Sequence, residues 1–364
     1  MLRALGWPTI RHVQHRPWNT TRRLIGPLIE PLYALVVARR NRAFDRGQGV
    51  GRASIPVISI GNMTTGGTGK TPMVMLTCRL LAEMGRHPAI AMRGYKADGA
   101  GRSDEAEEYR RLLPDVPVLV GADRLASITA HLAGGAGGEH SAMDCVVLDD
   151  GFAHRRLHRD LDVVLLHAGV DLTTERLLPT GDLREPLGGL ARAGLVVLTH
   201  AEPEVVAAVD AGTQWTCRLP AGLPRPRVMV RHVWAGLTDS HGVRGDLGLL
   251  AAVPTFAACA IGRPEAFVAE AGRRCKLVGS MVLDDHDAFA PATVAKLAER
   301  IAASGAKALL VTEKDWSKLS RLASGTLPCE VYRPELKLEV VRGGEVLRQA
   351  IASAVGAAVG SAAK

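Results

Sequence analysis

The stretch SIGNMTTGGTGKTP, Ser59 to Pro72, decides the fold. The apolar run IPVISIGN leads into it and TPMVMLTCRLLAEMG leads out. Strand, glycine-rich turn and helix therefore follow one another, the context that a phosphate-binding loop requires. Gly66, Gly67 and Gly69 let the backbone curl until several N–H groups face one anion, Lys70 supplies a positive charge and Thr71 a hydroxyl for Mg²⁺. Together with Thr64, Thr65 and Thr68 these residues form the predicted nucleotide cradle. The strict Walker A pattern has Gly where this chain has Thr64, but the chemistry does not depend on that residue. A glycine turn that only joined a strand to a helix would have no need of Lys-Thr at that spot.

Around this loop, short β-branched runs alternate with helical stretches. IPVISIG, HPAIAMRGY, VPVLVG, CVVLDD, LDVVLLHA and GLVVLTH are the strands, with EAEEYRRLL and a segment from about Arg124 among the helices. Such alternation predicts an α/β fold, a P-loop NTPase-like and mainly parallel sheet with helices on both faces, whose ligands gather at the carboxyl ends of the strands. A chain of 364 residues exceeds the about 250–300 at which single cores commonly stop growing. The expected organisation is a basic N-terminal segment (1–46), a P-loop domain (47–225), two strands that join the domains (226–237 and 329–340), a smaller α/β domain (238–328), and a C-terminal helix and tail (341–364).

The net charge of +8 sits almost entirely at the front: residues 1–46 hold nine Arg against Glu30 and Asp45. The rest is nearly neutral, which argues against a nucleic-acid groove. Six cysteines without a C-x-x-C pair suit a reducing compartment. LIGPLIEPLYALVVA, Leu24 to Ala38, is too short to span a bilayer, carries Glu30 and reads as broken by Pro27 and Pro31. It is expected to lie on an anionic membrane surface, with the arginines among the headgroups; a core helix with a solvated basic flank is the alternative. No obligate protein partner is evident.

Further polar residues stand at strand ends. Asp149 and Asp150 end CVVLDD, as a Walker B element does to reach Mg²⁺ opposite Thr71; paired acids there can also cap a turn. Arg93 and Tyr95 close HPAIAMRGY, and Asp104 and Glu105 follow one loop later, where Asp104 is also a good helix N-cap. Arg184 and Glu185 lie in the proline-flanked LLPTGDLREPLGGL, and His286 in LDDHDAF, between a strand and a helix. A histidine there can take a proton from a hydroxyl, or it can be structural. These residues leave three classes open: a kinase, a membrane-associated regulatory NTPase that drives a partner protein, and a nucleotide sensor.

Taken in order, GNMTTGGTGKTP, RGY, SDE, LDDGFAHRRLHRD, LLPTGDLREPL, DDHDAF and TEKD, behind the basic head, resemble the tetraacyldisaccharide 4′-kinase (lipid A 4′-kinase) family of Gram-negative bacteria. The resemblance implies a peripheral enzyme at the cytoplasmic face of the inner membrane. Its expected reaction moves the γ-phosphoryl group of ATP to the 4′-hydroxyl of a tetraacylated glucosamine disaccharide 1-phosphate, yielding lipid IVA in lipid A biosynthesis. Carried over by motif, Lys70 and Thr71 hold phosphates and Mg²⁺, Asp149 and Asp150 form the Walker B pair, and Asp104 with His286 forms the dyad that accepts the hydroxyl proton. Glu105, Arg93, Tyr95, Arg184 and Glu185 line the site. Thr64 is usual in the family. Three positions depart from it: Ala153 stands where Gln is common, Ser103 where Gly is, and Asp287 where a second His is.

Overall fold

In the run VISIGN every residue is buried, without polar alternation, as a strand covered on both faces demands. The computed structural model describes residues 19–65, 68–94, 104–134, 143–211, 219–262, 264–284, 287–320 and 327–356. The chain forms two compact units, the first running to Arg231 and resuming at Leu338, the second being His232–Lys337. In unit 1 the order is α1 (Asn19–Asp45), β1 (Val57–Asn62), α2 (Lys70–Glu83), β2 (Pro88–Met92), α3 (Asp104–Leu112), β3 (Val118–Val120), α4 (Arg124–Gly134), β4 (Cys145–Asp149), β5 (Leu161–His167), β6 (Leu195–Thr199) and α5 (Pro203–Asp210). The long strand β7 (Val228–Asp239) then leaves for unit 2, which holds β8 (Arg244–Gly245), β9 (Pro254–Cys259), α6 (Pro264–Arg274), β10 (Lys276–Val282), α7 (Pro291–Ser304), β11 (Ala308–Val311) and α8 (Glu313–Leu319). Strand β12 (Glu330–Arg342) leads back, and α9 (Gly344–Ala354) completes unit 1.

The unit 1 sheet has the order β7-β6-β5-β1-β4-β2-β3, and its pairs are parallel. Alternate residues of β1 serve opposite faces. Ile58 and Ile60 pack with Met73, Cys78 and Tyr109 and with Leu347 and Ile351 of α9, while Val57 packs with Ala89, Ile128 and Leu148. The register sets Ile60 beside Asp149, so the loop after β1 and the acids after β4 emerge at the same sheet end. Gly61 permits this closeness: a Cβ there would lie 2.7 Å from the Phe152 backbone nitrogen.

Unit 2 carries a parallel sheet in the order β10-β9-β11-β12. The TEKD segment is structural within it. The Thr312 side chain caps α8 by accepting from the Asp315 N–H, buried Asp315 accepts from the Ala260 N–H at 3.1 Å, and Glu313 pairs with Arg333 at 2.8 Å.

One reading of the sequence is corrected. Pro27 and Pro31 do not break the apolar head: α1 runs through both. Proline normally costs a helix interior an N–H···O bond and a clash. Here both prolines are exposed, and the opposite face, with Gly26, Glu30, Tyr33, Val37 and Asn41 at helical spacing, is held by tertiary contacts along its length.

Candidate active site

Past the end of β1 the glycine-rich loop is strapped to a second segment. The Thr65 N–H donates to the Asp182 carbonyl at 2.8 Å and its hydroxyl to Asp182 Oδ1 at 2.6 Å. Thr64 forms an antiparallel bridge with Leu183, and the Arg184 N–H donates to the Met63 carbonyl at 2.9 Å. Gly66 and Gly67 lie outside the described residues. Gly69 takes φ 83°, a left-handed conformation that favours glycine, and turns the chain into α2 at Lys70. Gly69 has no side chain to cap that helix, which leaves the Lys70 and Thr71 N–H groups suited to an anion. Thr68 is buried, and its hydroxyl has no partner.

The strap brings Arg184 to the acidic turn that follows β4. Its Nη1 donates to both oxygens of Asp150, at 2.8 and 2.7 Å, and Lys70 Nζ stands 3.7 Å from the same carboxylate. Asp150 has φ 51°, an excursion that aspartate tolerates better than most residues. Burial alone would raise its pKa, but Lys70 and Arg184 outweigh that and hold it below the usual carboxylate range. Asp149 shows the opposite result: burial pushes it up to about 6, against the pull of Lys70 and a hydrogen bond from Tyr109. Its Oδ2 accepts from the Tyr109 hydroxyl at 3.0 Å, while Oδ1 is buried with no partner.

Around this pair the other candidates divide. Arg93 directly follows β2 in an exposed position, and Glu105 is exposed in the first turn of α3, near enough to Asp149 to raise its pKa. Glu185 turns inward: it is 1% exposed, accepts from Arg192 at 3.0 and 2.8 Å and from Asn41 of α1 at 3.1 Å. Arg184 is tied to the same helix, since the Tyr33 hydroxyl donates to its carbonyl at 2.7 Å. Tyr95 and His286 lie outside the described residues, as does the side chain of Asp104, which begins α3. Asp287 uses its carboxylate within its own loop, accepting from the Phe289 N–H at 2.6 Å, and its carbonyl accepts from Lys318 at 2.7 Å.

Sequence reasoning missed Arg124 and Tyr109. Arg124 opens α4, is 5% exposed and donates to His154 Nδ1 at 3.1 Å. Burial lowers its pKa while the charges of Asp150 and Asp149 support it against Arg93. The signal was a basic residue three positions after VPVLVG, read only as a helix start. Tyr109 carried no signal beyond being an aromatic on an apolar helix face.

The family model described as "Tetraacyldisaccharide-1-P 4'-kinase" matches residues 22–355. The chain belongs to that family. Its relatives include a tetraacyldisaccharide 4'-kinase of Anaeromyxobacter dehalogenans, 36% identical over 89% of each chain, and one of Geobacter sulfurreducens, 35% identical over 87% of this chain and 90% of that one. Among solved structures, LpxK from Aquifex aeolicus in complex with ATP matches with a TM-score of 0.71 and 27% identity, over 92% of this chain and 99% of that one. As a member of the tetraacyldisaccharide 4'-kinase family, the chain is an ATP-dependent kinase of lipid A biosynthesis. A regulatory NTPase is not favoured.

Proposed function

We propose that the chain moves the γ-phosphoryl group of ATP to the 4′-hydroxyl of a tetraacylated glucosamine disaccharide 1-phosphate by positioning and charge neutralisation, as a peripheral enzyme at the cytoplasmic face of the inner membrane. One observation carries the reading: the phosphate-loop Lys70 and the strap residue Arg184 converge on Asp150, so two cations flank the strand-end acid beside the loop. With ATP bound, Lys70 and the N–H groups at the start of α2 hold its phosphates. Arg184, Arg93, Tyr95 and Glu105 border the acceptor, and buried Glu185 anchors the segment next to Arg184 through Arg192 and Asn41.

The oxygen donors Thr71, Asp149 and Asp150 suit a hard cation such as Mg²⁺. The buried and unpartnered Asp149 Oδ1 fits that role, since such an atom calls for a ligand. Bound Mg²⁺ would offset negative charge on the phosphate oxygens. In the family motifs Asp104 and His286 are the dyad that orients and deprotonates the sugar hydroxyl, and β7 and β12 are the strands that join the two domains.

Membrane association is assigned to α1. Among the described residues no helix is long and apolar enough to cross a membrane. Yet Ile25, Leu28, Ile29, Leu32, Leu35 and Val36 are exposed along one stripe of α1, followed by exposed Arg39, Arg40, Arg42 and Arg46. Apolar residues outward with basic residues beside them is the arrangement of an interfacial helix.

The test is incubation with Mg-ATP and tetraacyldisaccharide 1-phosphate in detergent micelles. The expected product is the bisphosphorylated lipid, with turnover about 10²–10⁴-fold lower in His286→Ala and ATP binding retained. Steady ATP hydrolysis without lipid product would refute the reading; full turnover in the variant would remove His286 from it.

A further inference from the structure

Tyr109 lies on α3, the helix that Asp104 begins, and it is fully buried. Its hydroxyl donates to Asp149 Oδ2 at 3.0 Å. A phenol has one proton, and here it goes to the carboxylate, so the bond ties α3 to the end of β4.

With Oδ2 engaged by that proton, Asp149 is left with Oδ1, which is buried and has no partner. The hydroxyl thus fixes the orientation of the carboxylate and leaves one of its oxygens open. We propose that Tyr109 is a positioning residue for the divalent cation that accompanies ATP: its hydroxyl holds Asp149 Oδ2 and sets the lone pairs of Oδ1 for metal binding.

The inference rests on the reading of Asp149 as a cation ligand. Phenylalanine would fill the same space, so Tyr109→Phe isolates the hydroxyl. The measurement is the affinity of a fluorescent ATP analogue titrated with Mg²⁺, without lipid and without turnover. For the unaltered protein, affinity is expected to rise with Mg²⁺ to a plateau. In Tyr109→Phe the Mg²⁺ midpoint should rise about tenfold or more, as removal of a group that orients metal ligands commonly does, with metal-free nucleotide affinity unchanged and the plateau restored by excess Mg²⁺.

A merely structural hydroxyl would lower thermal stability and leave the midpoint in place, and that result overturns the proposal. Nucleotide binding by the unaltered protein that ignores Mg²⁺ would overturn the cation-site reading itself, and the proposal with it. Should Tyr109→Phe fail to fold, fluorotyrosine incorporated at position 109 keeps ring and hydroxyl while making the proton more acidic. The midpoint must then shift, and an unmoved one overturns the proposal.

Discussion

Asp149 and Asp150 are neighbours in the chain, yet their carboxyls are shifted in opposite directions. Asp149 ends a fully buried strand, whereas Asp150 turns out toward Lys70 and Arg184. His154 shows the same sensitivity to place. Burial, and then the charges of Arg124, Arg159 and Arg156, push its pKa down to about 4, so in the folded protein it is neutral and accepts from Arg124. The unfolded chain binds the proton at the ordinary value of about 6.5. As pH falls from there toward 4 the unfolded state therefore gains protons first, and stability is lost over that window. His154→Gln keeps an acceptor for Arg124 and removes the titration. The thermal midpoint of that variant should fall less steeply between pH 6.5 and 4 than that of the unaltered protein. The flattening will be partial, because His232, also pushed down to about 4 by burial, contributes slope of the same sign.

At the scale of elements, α1 works on two faces. Tyr33 and Asn41 hold Arg184 and Glu185, Glu30 pairs with Arg176 at 2.9 Å, and Arg155 reaches back to Asn41 and Asp45 at 3.0 and 2.6 Å. The outward stripe touches none of this. Replacing Leu28, Leu32 and Leu35 by Ser should release the protein from anionic vesicles. Each leucine is worth about 1.5–3 kcal/mol of apolar burial, so the partition coefficient should fall more than about a hundredfold, with ATP-analogue affinity unchanged. Retention on vesicles would mean that another surface binds. The sequence showed the glycine-rich loop, the two aspartates and Arg184 because each is a local pattern: glycines before Lys-Thr, acids at the end of an apolar run, a charge between two prolines. It hid the continuity of α1, since Pro27 and Pro31 argue for a break by every local rule and only contacts with residues 176–185 override them. It also hid Tyr109 and Arg124, whose partners stand 40 and 30 positions away; periodicity reports which face a residue takes, not what it meets there.

For the molecule as a whole, unit 1 is interrupted and then completed. Leu347 and Ile351 of α9 are buried in the same core as Ile58, Met73 and Val147, and Gly343, at φ 76°, packs against the Arg227 backbone, where a Cβ would meet a carbonyl oxygen at 2.2 Å. Ile351→Ala should cost about 2–5 kcal/mol, read as a lower urea midpoint with an unchanged slope. A surface helix at that position would show a change within about 0.5 kcal/mol.

The order of synthesis gives the late arrival of α9 another meaning. Domains fold as units while the ribosome feeds the chain out. Unit 2 is one continuous stretch, and its last residue emerges before α9 does. Unit 1 starts first and is finished last, so the glycine-rich loop is translated early but waits for the final helix before its core is closed. Nascent chains that have passed Lys337 but not Ile351 would expose the apolar side of α2 and β1, which makes this interval the one in which a chaperone has most to shield.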